Sequence, residues 1–466
     1  EKHYRALLDV AAAVGGNENL CDALQFQISR CRARRGRLSD SQKLLLRLAA
    51  SENQTIRAAA EYDLAVRSTL ADEYLPARMR AYTALAAMSG LDRPVELAAE
   101  CEYLIAHGLT RKTALAVRES ADLPLETDSL KAEPFLGLDE GRLRARLRAG
   151  ELPPEEGVLG PSVKTASRPG EVRRFSVVCR QATIEELLIR LAGKAGMDIR
   201  WNRIDPKAMQ RSVTLRVRKL PARRIVEIAC GMTGLVARFG GDYAELRDPL
   251  NCPSMSARQE LLGAEAVSAW RRFLLNHPDD PRAARAHYGI ARVEESAGRT
   301  LEALNEYQLV ARRYERHPLA GPALLQAARL RIHLRDYPGA RRDLEELLNR
   351  YPRCPDAEEV HMLLGRACLH AGKPGQAGRI FTRVYHLELS AQSRQEAAFG
   401  AAAAMAAQDE HKQVLKWVKR YLAEVGRADG DQAAEALLMR ARAEAAMGQV
   451  EHAAGVIAEA LARQPS

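Results

Sequence analysis

The sequence predicts a mainly α chain: a solenoid of helical hairpins with a small α/β domain of βαββαββ order inserted in it. Three observations carry that expectation. Small residues recur at a step of 37 through the C-terminal half, and such a period means stacked helical units. The stretch 172–248 instead mixes strand alternation with short helical stripes. The composition is 47% apolar but only 5% aromatic, and rich in Ala, Leu, Arg and Glu, which favours closely packed helices. A chain of 466 residues is too long for one compact core and implies roughly two to four units.

Residues 1–121 read as helical without a fixed period. Apolar stripes run through 4–14, 41–51 and 77–88, and Thr110 reads as an N-cap before "RKTALAVRES". Helical hairpins are expected, and whether they are degenerate repeats stays open. Residues 122–171 hold many Pro and Gly and read as a linker, with a short basic helix over 138–150.

The α/β domain is expected over 172–248. "RFSVVCR" (174–180) is a strand. Thr183 then caps a helix, with Glu186 three residues on as a capping box. Ile184, Leu187, Leu188 and Leu191 form its buried stripe, and Gly196 follows its end. "DIRWN" (198–202) is a short strand. In "VTLRVRKLPARRIVEIA" (213–229), Val213, Leu215 and Val217 point inward from what reads as the middle strand, and Pro221 starts the next helix. "LVARF" and "YAELR" flank Gly240-Gly241-Asp242, a hairpin signal.

The repeat array is expected over 255–466, as about five to six hairpins. Ala266, Ala303, Ala340, Ala377 and Val414 are 37 apart, and Ala453 follows after 39. Four positions beyond each stands a large apolar residue: Trp270, Tyr307, Leu344, Phe381, Val418 and Ile457. The small residues let helices approach and the large ones fill the gap between them. Pro278, Pro352 and Pro465 end second helices. The first unit lacks a full leading helix.

This pattern resembles the tetratricopeptide repeat. The linkers "NHPDDPRA" (276–283) and "NRYPRCPDAEE" (349–359) look like the joints of tetratricopeptide lipoproteins of the bacterial cell envelope. The stretches Gln181 to Gly196, Val213 to Pro221 and Ile225 to Leu235 resemble the short N-terminal domain of secretins and TonB-dependent receptors. No ring-forming repeat domains and no barrel strands follow. The resemblances imply a periplasmic or cell-envelope location and protein partners. The chain starts at Glu1 with no Met, basic n-region or apolar h-region, so the expectation is that a targeting segment was removed or the chain was cut. No run has the length and purity of a transmembrane helix.

No catalytic constellation is present: there is no phosphate-binding Gly loop, no H-E-x-x-H and no G-x-S-x-G. No cofactor or metal is expected. Cys354, His361, Cys368 and His370 match no zinc spacing, and the eight cysteines read as small buried hydrophobes.

Binding is therefore the expected activity. On the first helices of the hairpins, Arg292, Arg329, Arg366 and Arg442 form a ladder interrupted at Ala403. One turn before each stand Tyr288, Leu325, Met362, Leu438 and, before Ala403, Phe399. That pattern fits a groove for an acidic peptide, with carboxylates on the arginines and apolar anchors in the strip. Arginines solvated on a repeat surface, and a strip covered by neighbouring helices, give the same pattern. Arg216, Arg218, Arg223 and Arg224 form a basic face on the small domain, expected as surface charge and, if it acts, as a dock for acidic protein. Nucleic acid is the alternative partner, favoured by the net charge of +10 and the basic runs at 30–37 and 142–148. No aromatic residues interleave with those runs for stacking.

Overall fold

The structure, a computed structural model, describes residues 1–13, 18–51, 53–89, 95–114, 160–167, 173–352, 354, 356–387, 390–425 and 431–462. The basic helix expected over 138–150 lies outside these residues. The chain forms two compact units, Glu1–Arg299 and Thr300–Ser466.

The first unit opens with α1 (Lys2–Ala13), α2 (Glu18–Arg34), α3 (Leu38–Leu48), α4 (Gln54–Leu70), α5 (Tyr74–Met88) and α6 (Val95–Ala114). Each helix packs on the next, and α2 also meets α4, and α4 meets α6. That is the contact pattern of stacked hairpins, present where the sequence shows no fixed period. Thr110 is not an N-cap. It sits inside α6, buried, and its hydroxyl donates to Ala106 O at 2.9 Å. Bonding back to the carbonyl one turn earlier satisfies a Thr in mid-helix.

The α/β domain follows as β1 (Ser162–Thr165), β2 (Arg174–Thr183), α7 (Ile184–Ala195), β3 (Asp198–Asn202), α8 (Pro206–Met209), β4 (Ser212–Pro221), α9 (Ala222–Met232), β5 (Val236–Phe239) and β6 (Tyr243–Arg247). The strands form two sheets, β1-β2-β4 and β3-β6-β5. Thr183 caps α7 by accepting from Glu186 N at 3.2 Å, and Gly196 closes it with a left-handed φ of 68°. β5 and β6 form the expected antiparallel hairpin. β4 is an edge strand rather than the middle one. β1, from within the stretch read as linker, pairs antiparallel with β2 and puts β2 at the centre. Both long strands bulge at a residue with positive φ, Gln181 and Lys219. Each displaced N–H is taken by a hydroxyl across the sheet, Gln181 N by Thr214 Oγ1 at 3.1 Å and Lys219 N by Ser176 Oγ at 3.2 Å. Phe175, Val177, Cys179, Val213, Leu215 and Val217 are buried, together with Ile184, Leu187, Leu188, Leu191, Ile225 and Ile228.

The unit closes with α10 (Met255–Asn276) and α11 (Ala283–Ser296). α10 packs along α6, and α11 touches both. The leading helix that the first repeat lacks in sequence is therefore α6. The α/β domain is inserted between the two helices of one hairpin. Trp270 of α10, the large residue of the repeat, meets the Tyr103 ring of α6 edge-on at 5.4 Å. Its Nε1–H donates to Thr110 Oγ1 at 2.8 Å. Both contacts join residues that lie on opposite sides of the insert.

The second unit is a stack of helices: α12 (Thr300–Arg313), α13 (Ala320–His333), α14 (Tyr337–Arg350), α15 (Ala357–His370), α16 (Pro374–Tyr385), α17 (Ala391–Ala406), α18 (His411–Val425), α19 (Asp431–Ala446) and α20 (Val450–Ala462). Consecutive helices pack, and α13, α15, α17 and α19 form a second row in contact. Ala303, Ala340, Ala377, Val414 and Ala453 are all buried, as are Tyr307, Leu344, Phe381 and Val418. Ile457, on the last described helix, is exposed.

Candidate functional site

The insert is held to the helices by buried polar contacts. Arg78 of α5 forms an ion pair with Glu265 of α10 at 2.6 Å, with side chains only 2% and 7% exposed, and also donates to Leu235 O at 2.7 Å. The Tyr82 hydroxyl donates to Glu265 at 3.1 Å. Burial pushes the Glu265 carboxyl up despite Arg78, because a charge in this core loses its water. Glu227 of α9 pairs with Arg272 of α10. Glu102 of α6 accepts from Arg224 at 2.6 Å and from Asn276 at 3.2 Å, with His277 Nε2 3.4 Å away. Burial alone would raise the Glu102 carboxyl, but these partners hold it below the usual carboxylate range. Arg282 grips Glu100 with two nitrogens at 2.7 and 3.0 Å and lies 4.6 Å from the Tyr103 ring centre.

This network changes the basic face expected on the small domain. Arg224 is not surface charge: it joins α9 to α6 through Glu102 and to Glu227 at 3.1 Å. Arg223 donates to Gly240 O and Gly241 O at 2.5 and 2.6 Å, bracing the hairpin turn. Arg216 is half-buried and Arg218 exposed, both on β4. Lys164 on β1 and Arg180 on β2 are exposed as well.

The groove ladder is also rearranged. In the second unit, Arg329 of α13 clasps Glu359 of α15 at 2.6 and 2.7 Å, and Arg366 of α15 reaches Glu396 of α17 at 2.5 Å. Each arginine thus pairs with the glutamate 30 residues on, one repeat further along the row. Arg442 is exposed. In the first unit, Arg292 is buried and meets Glu295 at 3.2 Å. The apolar series is packing rather than groove lining: Tyr288, Leu325 and Met362 are buried. Phe399 is half-buried with its ring 5.5 Å from that of Tyr421, and Leu438 packs on the cluster around Leu437 and Val456. One turn before an arginine that faces the next first helix lies the seam between hairpins, and large side chains fill it. Glu359 and Glu396 were missed in the sequence, although they recur 37 apart just as the arginines do.

Among the described residues no cluster of three His, Cys, Asp or Glu side chains is placed to hold a metal ion. His361 turns Nδ1 to Ala357 O at 2.6 Å, and the His370 ring stacks on Tyr337 at 4.7 Å. Cys368 is buried, and burial raises its thiol. Among the described residues no helix is long and apolar enough to cross a membrane.

A family model described as tetratricopeptide repeat matches residues 259–318 and 325–394, and these residues carry such repeats. The repeats make the chain a protein–protein interaction scaffold. No curated protein matches it. Similar solved structures include a tetratricopeptide repeat protein from Parabacteroides merdae, at 16% identity and a TM-score of 0.34, covering 44% of this chain and 74% of that one. YrrB, titled a TPR protein with an unusual peptide-binding site, has 18% identity and a TM-score of 0.34, covering 43% of this chain and 94% of that one. The pilF protein of Pseudomonas aeruginosa has 21% identity and a TM-score of 0.31, covering 42% and 82%. The family match, not these likenesses, carries the repeat assignment.

Proposed function

We propose that this chain, with its tetratricopeptide repeats, is a non-catalytic scaffold of a bacterial cell-envelope or secretion-type assembly. The repeats hold one protein and the α/β domain docks a second. The observation that carries the reading is the insertion of that domain between α6 and α10, clamped by the Arg78 hydrogen bond to Leu235 O and by the Arg224–Glu102 and Arg272–Glu227 ion pairs. A domain fixed this way presents its outer sheet face at a set position relative to the first repeat, which suits holding two partners in register. The face with Lys164, Arg180, Arg216 and Arg218 carries the positive charge that an acidic protein surface would meet. The envelope location is supported by the resemblance of 181–196 and 213–235 to the short N-terminal domain of secretins.

Cross-linking in the intact envelope, with identification of neighbours, tests this. Envelope or secretion components are expected, one of them lost when Arg180, Arg216 and Arg218 are all changed to Glu. Neighbours limited to ribonucleoproteins, with binding that weakens steeply with salt, would replace this reading by a nucleic-acid one.

A further inference from the structure

In the second unit the large residue of a second helix lies buried between two first helices, its own and the next. Phe381 of α16 shows the geometry. A Cβ added at Gly365 of α15 would stand 2.6 Å from its ring, and one at Gly400 of α17 would stand 2.7 Å from it. The last described helix, α20, departs from this pattern. It meets α19 through Ala453, Val456 and Ala460. The neighbouring face carries Val450, Ile457 and Leu461, exposed at 66%, 43% and 64%. Their spacings of seven and four residues put them on one stripe. Ile457 holds the position at which Tyr307, Leu344, Phe381 and Val418 are buried. A repeat array needs a polar outer face on its closing helix, and this stripe is apolar.

The polar side of the seam is open at the same end. Arg329 and Arg366 each clasp a glutamate of the next first helix, Glu359 at 2.6 Å and Glu396 at 2.5 Å. Arg442 repeats their position on α19, is exposed, and pairs with no carboxylate among the described residues. An apolar stripe and a guanidinium thus stand open together, where α15 and α17 supply both a covering surface and a glutamate.

We propose that this end of the array docks an amphipathic helix of a partner protein. Its apolar face lies on Val450, Ile457 and Leu461, and its glutamate pairs with Arg442. Glu396 and Gly400 of α17 set its chemistry: a carboxylate and, one turn on, a small residue that lets the array's large side chain approach. The helices of this chain that carry the clasping glutamates, α15 and α17, are already packed inside the stack, so another protein brings the cover. The proposal rests on the scaffold reading of the repeats and names one place where they hold a partner.

Fluorescence anisotropy tests it, with the full chain and a labelled peptide of residues 391–406, because α17 makes this contact inside the array. The peptide is stapled on its polar side, since short isolated helices are marginal in water. Saturable binding is expected. Ile457 and Arg442 are exposed, so substituting them leaves the core intact. Ile457→Lys is expected to abolish binding, and Arg442→Glu to weaken it about tenfold. A peptide with Glu396→Arg is expected to recover that loss on Arg442→Glu. Absence of saturation, or binding indifferent to Ile457→Lys, would overturn the proposal. So would self-association of the chain alone that Ile457→Lys abolishes in sedimentation, since the occupant would then be a second copy. Either failure leaves the cross-linking test of the scaffold reading standing.

Discussion

Gly231 of α9 lies under the ring of Tyr82 of α5, so close that an added Cβ would stand 2.1 Å from Cδ2. Neither side can give way easily, because Tyr82 is fully buried and hydrogen-bonded to Glu265. Gly231→Ala is therefore expected to destabilise the first unit by about 1–3 kcal/mol through overpacking. Gly193→Ala on α7, where a Cβ meets nothing within 4 Å, is expected to stabilise by about 0.5–1 kcal/mol, since alanine favours a helix. Urea unfolding of both variants makes the comparison.

The Arg78–Glu265 pair predicts an asymmetry. Glu265→Gln leaves a buried guanidinium uncompensated and is expected to cost about 3–5 kcal/mol. The double variant Arg78→Met with Glu265→Met removes both charges and is expected to recover most of that loss. A double-mutant cycle by denaturant unfolding reads the coupling, and strictly additive losses would show that the pair does not act as one.

The arginine ladder predicts a gain of binding. The Arg329–Glu359 and Arg366–Glu396 pairs are partly exposed, so each contributes about 0–1 kcal/mol to stability. Glu359→Gln and Glu396→Gln take one carboxylate from each arginine at small cost. Fluorescence anisotropy with an acidic peptide is expected to show tighter binding in that double variant. Unchanged affinity would mark the ladder as purely a clasp between repeats.

Asp343 predicts a pH dependence in the second unit. Burial raises its carboxyl to about 6, despite Arg331 at 3.2 Å. A raised carboxyl binds its proton more tightly folded than unfolded, so its contribution is present below about pH 4 and lost as pH rises through about 6. Thermal melts are expected to show Asp343→Asn gaining on the parent protein across that window. A constant difference from pH 4 to pH 8 would contradict the assignment.

The repeats were legible because each hairpin restates the same pair, such as Ala340 with Leu344 and Ala377 with Phe381. The α/β order was legible because Thr183, Pro221 and Gly240-Gly241-Asp242 punctuate it. The partnership of α6 with α10 was not. Tyr103 and Trp270 are 167 positions apart, and no local pattern announces a helix completed across an insertion. β1 was hidden because "SVKT" is too short to show alternation within a Pro- and Gly-rich stretch. The groove reading found the right helices but not the burial of Tyr288, Leu325 and Met362. A four-residue spacing shows which residues share a face, not whether the next helix covers it.

Hydrogen exchange by mass spectrometry tests most directly whether the α/β domain is built into a repeat. Amides of α6, α9 and α10 are expected to open together as one cooperative unit, and Gly231→Ala is expected to speed exchange in all three. Exchange of residues 173–248 at their own rate, with α6 and α10 protected and unaffected by that substitution, would contradict the insertion as a structural whole.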